Sequence, residues 1–417
     1  MSELDPERSP LAESPSDPPP APELDSLDAF AAGKLRSLER RNLRRRLAVT
    51  ERLEPPGARR GDPEADGPEG PSPRLRSFSC NDYLGLSRHP RVVAASVEAT
   101  QRYGAGAGAS RLITGNHPLF EGLERRLAAL KGTDDAVVFG SGYLTNVGVM
   151  PALAGARDLI VMDELCHACL VAGAALSRAR VVTFAHNDCD AAADQLARHR
   201  RAHGRCLLVT EGVFSMDGDL APLPRLAELA RRHDAWLMTD DAHALGVVGG
   251  GRGSCHAAGG RIDVPLQMGT LSKAAGSYGG YLCASRPVAE LVRNRARTFV
   301  YSTGLPPGTV AAAAAALDII RSEPERTRAP LERARLFTDT LGLRPAESAI
   351  VPLVLGTAER ALEASAALDA QGFLVTAIRP PTVPLGTARL RFTFCAEHTE
   401  RDVLDLAAAV ASLLEDR

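Results

Sequence analysis

A lysine in a glycine-rich segment is the first residue whose setting indicates chemistry. Lys273 lies within residues 269–280, Gly-Thr-Leu-Ser-Lys-Ala-Ala-Gly-Ser-Tyr-Gly-Gly, directly after an apolar run that predicts a buried strand. Partial removal from water lowers the pKa of an amine and favours the neutral form, which condenses with aldehydes. Taken alone, the segment is more typical of a surface loop, so its neighbours decide the interpretation.

A carboxylate and an imidazole follow another apolar strand candidate. Residues 236–240 end in Asp240, and His243 comes three positions later. Because the carboxyl ends of parallel strands meet at one edge of a sheet, we expect both side chains near Lys273. Pyridoxal 5'-phosphate (PLP) needs such a set: a lysine for its aldehyde, a carboxylate for its ring nitrogen and a helix N-terminus for its phosphate. The combination favours a PLP site.

Three further segments place polar groups just past strand ends. Residues 139–146 read as a strand end, a glycine turn and a helix start, which suits a phosphate, although an ordinary turn is equally consistent. His167 opens a helix, where its ring either stacks on a cofactor or caps the helix. Glu211 and Ser215 follow a further strand.

The elements that position these residues alternate between strand and helix. This alternation predicts an α/β fold with a mostly parallel, seven-stranded central sheet and helices on both faces. The predicted strands are residues 136–139, 159–162, 181–184, 206–210, 236–240, 266–270 and 281–284.

Composition divides the chain into four predicted parts. Residues 1–23 are rich in Pro, Ser and acidic residues, which predicts a disordered tail. Residues 24–84 predict an amphipathic helix followed by a loop or loose hairpin. Residues 85–316 form the predicted large cofactor-binding domain. Residues 317–417 predict a small α+β domain with strands near 350–355, 373–378 and 389–394.

Overall composition indicates an enzyme of the cytoplasm. The formal net charge of -2 over 417 residues gives no sign of a polyanionic partner. No apolar run approaches the roughly 20 residues of a membrane span, and the start lacks the order of a secretory signal. We therefore expect no nucleic acid or membrane partner. The eight cysteines are scattered, which favours reduced thiols over disulfides.

Three further segments give weaker indications of function. Cys166 and Cys169 have the spacing of half a zinc site or a redox pair, but the sequence shows no second pair and no thioredoxin-like setting, so we expect no metal. The arginines of residues 40–46 form a basic cluster that is more typical of a solvated helix face than of a nucleic-acid or membrane surface. The run 104–111 lacks the glycine spacing of a Rossmann dinucleotide site.

Six ordered motifs together resemble the α-oxoamine synthases, which are PLP-dependent enzymes of fold type I. The resemblance spans about residue 34 to the C-terminus, and it implies the aspartate aminotransferase-like fold. The motifs are residues 81–86, 211–218, 240–243, 270–273, 301–307 and 377–384.

The resemblance implies a role for each matching position. Lys273 would hold the PLP aldehyde, Asp240 the ring nitrogen and His243 the phenolic oxygen, and these three with His167 form the expected catalytic set. The other implied cofactor positions are Ser141, Gly142, Tyr143 and Thr270 at the phosphate, His167 over the ring, Glu211 and Ser215 beside the cofactor, and Thr303 from the neighbouring subunit of a homodimer. The implied substrate positions are Arg44, Asn81, Ser110, Thr382 and Arg391, with Arg391 on the amino-acid carboxylate.

Segment 377–391 most resembles the family members that act in biotin biosynthesis. This implies decarboxylative condensation of L-alanine with pimeloyl-CoA or a pimeloyl carrier protein. Other family members, such as glycine acetyltransferase, 5-aminolevulinate synthase and serine palmitoyltransferase, share the same machinery and remain alternatives. A non-catalytic scaffold that binds nucleic acid or a membrane through the basic helix is the alternative from a different class. Ala105, Ala107 and Ala109 depart from the family's usual glycine and serine residues.

Overall fold

A computed structural model describes residues 26–45, 47–54, 56–61 and 73–415. The chain divides between residues 46 and 47 into two compact units. The predicted tail, residues 1–23, lies outside the described residues. Within the described ranges, no helix has the length and apolar character needed to cross a membrane.

The first unit contains one described helix, which confirms the amphipathic pattern as helical. Helix α1 spans Leu27–Arg40, and the Ser26 hydroxyl caps it by accepting a hydrogen bond from the Ala29 N–H (3.1 Å). The basic cluster begins at the end of this helix, where Arg44 pairs with Glu39 (2.7 Å).

The second unit contains the remaining helices. They are α2 Pro90–Tyr103, α3 Leu119–Lys131, α4 Gly142–Leu153, α5 Ala168–Ser177, α6 Cys189–His199, α7 Leu223–Arg232, α8 Arg286–Arg295, α9 Arg297–Val300, α10 Pro307–Ser322, α11 Pro324–Thr340, α12 Ala358–Ala370 and α13 Glu400–Glu415.

The strands also lie in the second unit. They are β1 Thr50–Arg52, β2 Gly57–Arg60, β3 Arg74–Ser77, β4 Asp135–Phe139, β5 Leu159–Asp163, β6 Arg180–Phe184, β7 Cys206–Glu211, β8 Trp236–Asp240, β9 Leu266–Thr270, β10 Gly280–Ala284, β11 Ile350–Gly356, β12 Phe373–Leu374, β13 Thr376–Ile378 and β14 Ala388–Thr393.

The central sheet has the order β4-β10-β9-β8-β7-β5-β6. Strand β10 runs antiparallel to both of its neighbours, and the other pairs are parallel. The prediction of a mostly parallel seven-stranded sheet is therefore confirmed. Strands β5, β7, β9 and β10 are buried on both faces, as continuous hydrophobic runs predict, whereas most of the edge strand β6 is exposed.

Alternate residues of β4 and β10 enter two different hydrophobic layers. Val138 and Tyr281 pack with α2, α3 and α10, whereas Val137 and Leu282 pack with α4, α5 and α8. This period of two places helices on both faces of the sheet. The parallel strands β5, β7, β8 and β9 consequently direct their carboxyl ends toward one edge.

Two small sheets complete the second unit, and they correct one sequence prediction. Residues 373–378 were expected to form one strand, but β12 pairs with β3 in the sheet β1-β2-β3-β12, while β13 pairs with β14 in the sheet β11-β14-β13. The chain therefore changes sheets at Val375. Strands β2 and β3 form an antiparallel pair. The expected loop or loose hairpin stays a prediction, because part of that segment lies outside the described residues. The predicted domain boundary at residue 317 stays a prediction, and α10 runs across it.

Candidate active site

The carboxyl end of β8 orients a buried carboxylate. Asp240 accepts a hydrogen bond from the Asn146 side-chain amide in α4 (2.7 Å) and another from the Ala242 N–H (2.9 Å). One bond comes from a helix and the other from the turn that follows the strand. The Asp240 carboxylate is therefore held in one orientation at the sheet edge.

Lys273 lies in the turn between β9 and β10. Gly276, at φ 59°, allows this turn to pass against the Leu86–Ser87 backbone, where a Cβ atom would clash. The Lys273 amine lies 2.8 Å from the His243 Nε2 atom. Burial lowers the pKa of Lys273, although the negative charge of Asp240 partly offsets it. The setting favours a neutral amine, as the sequence predicts.

A chain of hydrogen bonds leads away from this amine. His243 Nδ1 lies 2.6 Å from the Tyr83 hydroxyl, which donates to the Asn81 side-chain oxygen (3.1 Å). Burial and the neighbouring Lys273 hold the pKa of His243 well below its usual range, so its ring is neutral. With the lysine donating to Nε2, Nδ1 carries the proton and donates to Tyr83.

Arg391 stands at the end of that chain. Its guanidinium donates to the Asn81 oxygen (3.2 Å) and to the Ser215 carbonyl (2.6 Å). Arg389, two residues earlier on the same strand face, pairs with the Asp217 carboxylate (2.5 Å). The hydrogen bonds described for Arg391 include no carboxylate, so this buried cation suits an anionic substrate group.

Glu211 connects two segments of the site through their backbones. One carboxylate oxygen accepts from the His167 N–H (2.6 Å) and the other from the Ser215 N–H (3.1 Å). Burial, reinforced by the charge of Asp240, raises the pKa of Glu211 to about 8. Burial also lowers the pKa of His167, whose Nδ1 atom lies 2.8 Å from the Cys169 sulfur.

The turn from β4 into α4 forms a candidate phosphate site. Ser141 is the N-cap residue of α4, and its hydroxyl accepts from the Leu144 N–H (3.1 Å). A Cβ atom at Gly142 would lie 3.2 Å from the Cβ atom of Thr270, so β9 lies against the first turn of the helix. Tyr143, in the same turn, is exposed. Together these residues give a helix N-terminus beside a threonine hydroxyl.

The remaining predicted positions are placed as follows. Ser110 and Thr303 form an isolated antiparallel β-bridge, next to which the Gly304 N–H donates a hydrogen bond to the Ala109 carbonyl (3.0 Å). Thr382 lies in a turn in which its N–H donates to the Arg379 carbonyl (3.1 Å). Arg44 belongs to the first unit. The roles expected of these four residues stay predictions.

Sequence reasoning assigned no role to Asn146 or Tyr83. Asn146 is a fully buried amide in an otherwise apolar stretch of α4, and such a group needs a hydrogen-bond partner. The sequence could therefore have predicted that Asn146 has a hydrogen-bond partner, which the structure shows to be Asp240. Tyr83 lies in a motif that the resemblance includes, but its contact with His243 joins residues 160 positions apart.

The donor set fits PLP. A buried amine, a carboxylate at a strand end, an imidazole and a helix N-terminus lie around one sheet edge, and each matches one group of that cofactor. Within the described residues, no cluster of His, Cys, Asp and Glu has the arrangement of a metal site.

Comparison with known proteins agrees with this donor set. Residues 74–410 match the family model described as aminotransferase class I and II. The chain is 58% identical over 391 residues to 8-amino-7-oxononanoate synthase of Beijerinckia indica, covering 94% of this chain and 99% of that one.

Two solved structures share the fold. A variant of the serine palmitoyltransferase of S. paucimobilis, solved with a bound PLP–myriocin aldimine, has a TM-score of 0.85 at 29% identity, covering 93% of this chain and 98% of that one. The 8-amino-7-oxononanoate synthase of Francisella tularensis has a TM-score of 0.68 at 25% identity, covering 82% of this chain and 98% of that one. The chain therefore belongs to the class I and II aminotransferase family, and within it to the PLP-dependent α-oxoamine synthases.

Proposed function

We propose that this enzyme joins L-alanine to a pimeloyl thioester, of coenzyme A or of a carrier protein, and forms 8-amino-7-oxononanoate for biotin biosynthesis. The alanine Cα gives up a proton and forms a bond to the acyl carbonyl carbon, and the thiol leaves. The alanine carboxylate then departs as carbon dioxide and a proton returns to Cα. The observation that carries the proposal is the hydrogen-bond chain from Lys273 to Arg391, because it joins an amine to a carboxylate-binding cation.

PLP, when bound, supplies an aldehyde that condenses with amines and a ring that accepts the electrons of a broken Cα bond. Asp240 would keep the ring nitrogen protonated, and its bonds to Asn146 and Ala242 hold its carboxylate in place for this task. The His167 ring would cover one face of the cofactor. Ser141, Gly142 and Thr270 would hold the phosphate.

Lys273 would act twice, once as the attachment point and once as the base. Its neutral Nζ atom takes the Cα proton of alanine, and burial favours the neutral amine that this step needs. The neutral His243 ring accepts a hydrogen bond from that amine and so holds the Nζ atom in position.

Arg391 would bind the alanine carboxylate. A guanidinium can hold a carboxylate through two parallel hydrogen bonds, which sets the orientation of the Cα substituents. The Asn81 oxygen and the Ser215 carbonyl hold the guanidinium on two sides. This arrangement selects the Cα–H bond that faces Lys273.

Serine palmitoyltransferase activity is the second candidate, because the backbone of that enzyme superposes better than that of the Francisella synthase. A shared backbone reports the family rather than the substrate. The identity of 58% to a synthase that uses the proposed chemistry, against 29% to the palmitoyltransferase, favours alanine and a pimeloyl group.

We further propose a cytoplasmic homodimer with shared sites. Leu112, Ile113 and Tyr301 are exposed near the Ser110–Thr303 bridge, and a patch of large apolar side chains favours burial against another surface. Thr303 would then reach the phosphate of the neighbouring subunit. The eight free thiols suit a reducing compartment.

Product identification tests the proposed function. The PLP-loaded enzyme is mixed with a pimeloyl thioester and equimolar alanine, glycine and serine, and products are identified by mass spectrometry. We expect 8-amino-7-oxononanoate as the dominant product. A dominant glycine or serine adduct would assign a different family member's activity. Salt-sensitive DNA or vesicle binding without PLP absorbance would instead support a scaffold.

A further inference from the structure

A histidine that has no role in the proposed chemistry lies between two carboxylates. The His186 Nδ1 atom is 3.1 Å from Asp163, and its Nε2 atom is 2.9 Å from Asp219. Because carboxylates only accept hydrogen bonds, both ring nitrogens act as donors and the ring is an imidazolium. The Phe214 ring packs edge-on against it, with ring centroids 4.3 Å apart.

The next residue spans the same two carboxylates. The Asn187 N–H donates to Asp163 (2.8 Å), and its side-chain amide donates to Asp219 (2.9 Å). Asn187 has a φ of 57°, a conformation that asparagine tolerates better than most residues. The backbone and side chain of Asn187 thus connect Asp163 to Asp219, as the His186 ring does.

The two carboxylates belong to segments that lead to the site. Asp163 ends β5, and the chain reaches His167 four residues later. Asp219 belongs to the segment 211–220, which we name the Ser215 loop. The Asp219 carbonyl accepts from the Phe214 N–H (3.1 Å), which closes this loop. The Ser215 carbonyl holds Arg391.

We propose that His186 and Asn187 are positioning residues that hold the Ser215 loop against the segment 163–167. Through this bridge they set the position of the Ser215 carbonyl, and hence of the Arg391 guanidinium, relative to His167. Glu211 joins the same two segments closer to the cofactor, so the loop is held at both ends. The inference rests on the proposed function for the roles of His167 and Arg391.

The charges around His186 support a lasting imidazolium. Hydrogen bonds to Asp163 and Asp219 raise the pKa of His186 to about 10 against the opposing effect of burial. Glu164 accepts from the His186 N–H (3.2 Å) and adds negative charge. The other charged residues nearby are Asp217, Arg344 and Glu347, which line an adjoining cavity of about 260 Å³.

Substitution of His186 tests the bridge. In His186→Asn we expect the dissociation constant of PLP and the Michaelis constant for alanine to rise about tenfold, because displaced groups bind poorly. The maximal rate should change less. Asp219→Asn should have similar effects, and the double variant should show less than the sum of the two single effects, because both substitutions remove the His186–Asp219 pair. The matched control is His199→Asn, a partly exposed histidine at the end of α6.

Wild-type affinities for PLP and alanine in His186→Asn, or strictly additive effects in the double variant, would overturn the inference. Nitrogen NMR of the histidine-labelled wild-type protein provides a test that needs no variant to fold. We expect both His186 ring nitrogens to stay protonated well above pH 6.5, and titration near that value would contradict the bridge. The PLP dissociation constant is measured without substrates. An unchanged PLP affinity in His186→Asn would therefore contradict the positioning role even if the product assay supports the proposed function.

Discussion

Arg389 and Arg391 lie two residues apart on β14, and only their partners distinguish them. Arg389 has the Asp217 carboxylate, whereas the partners of Arg391 are three neutral oxygens, those of Ser215, Asn81 and Tyr83. A buried cation with neutral partners has charge left to stabilise an incoming carboxylate. This difference explains why the substrate role is proposed for Arg391.

Replacing Arg391 by Leu should therefore weaken alanine binding selectively. Loss of a paired, charge-assisted interaction of about 3 kcal/mol corresponds to roughly a hundredfold rise in the Michaelis constant. Steady-state kinetics with varied alanine measure this effect. Arg391→Lys is the control, because lysine keeps the positive charge but lacks the planar guanidinium. Its Michaelis constant for alanine should lie between those of the wild type and Arg391→Leu. An unchanged alanine affinity in Arg391→Leu would contradict the assignment.

Glu211 should make the stability of the cofactor-free protein depend on pH. Its pKa of about 8 in the folded protein exceeds the ordinary value of 4.5, so the folded state holds a proton that the unfolded chain releases. This contribution to stability is complete below pH 4.5 and is lost as the pH rises through about 8.

The variant Glu211→Gln cannot titrate, so its difference in unfolding free energy from the wild type should change across that window. Denaturant unfolding at several pH values measures the difference. A constant difference between the two proteins from pH 4.5 to about 8 would show that Glu211 titrates normally.

The sequence predicted which residue types surround the site better than it predicted their partners. Lys273, Asp240 and His243 could be placed at one sheet edge because each follows a strand. The orientation of the Glu211 carboxylate toward the His167 and Ser215 N–H groups could not be predicted from the sequence, because it depends on how two loops pack together. The contact between Asn146 and Asp240 likewise joins a helix to a strand 94 positions away.

At the scale of elements, close packing of β10 against the start of α4 shapes the candidate phosphate site. A Cβ atom at Gly280 would lie 2.5 Å from the Ser141 carbonyl group, so the backbone of the turn would have to shift. We expect Gly280→Ala to cost about 2 kcal/mol in unfolding free energy and to weaken PLP binding.

Thermal unfolding and PLP titration measure the two effects of Gly280→Ala. The control is Gly260→Ala, because a Cβ atom there meets open space and the glycine has no left-handed backbone. Equally tight PLP binding by Gly280→Ala and Gly260→Ala would contradict a role of this turn in holding the phosphate.

Hydrophobic runs predicted all seven strands of the central sheet, and every strand except the edge strand β6 is buried over most of its length. They did not predict the division of residues 373–378 between two sheets. An apolar run shows that a strand is buried but does not identify its neighbour, and here β12 and β13 take partners from opposite ends of the chain.

At the scale of the whole molecule, the proposed dimer accounts for an exposed apolar patch. Ile113 and Tyr301 are 75% and 74% exposed, and they flank the bridge that contains Thr303. A charge placed there should oppose association, because burying an unpaired carboxylate is costly. We expect Ile113→Asp to shift the protein toward monomer, with at least about a tenfold rise in the dimer dissociation constant and a loss of PLP affinity.

Analytical ultracentrifugation with parallel PLP titration measures both consequences of Ile113→Asp. The matched control, Val354→Asp, places the same charge at an exposed position of β11 and should leave both unchanged. If Ile113→Asp remains dimeric, the patch is not the subunit interface.

The central claim is that Lys273 binds PLP covalently, and the sequence makes this unusually direct to test. The chain contains three lysines, of which Lys131 is fully buried in an ion pair with Asp241 and Lys34 lies in α1. Borohydride reduction of the PLP-loaded protein, followed by digestion and mass spectrometry, identifies the modified lysine. The account predicts one pyridoxyl group per chain, on Lys273. A label on Lys34 or Lys131, or an unlabelled Lys273, would contradict it.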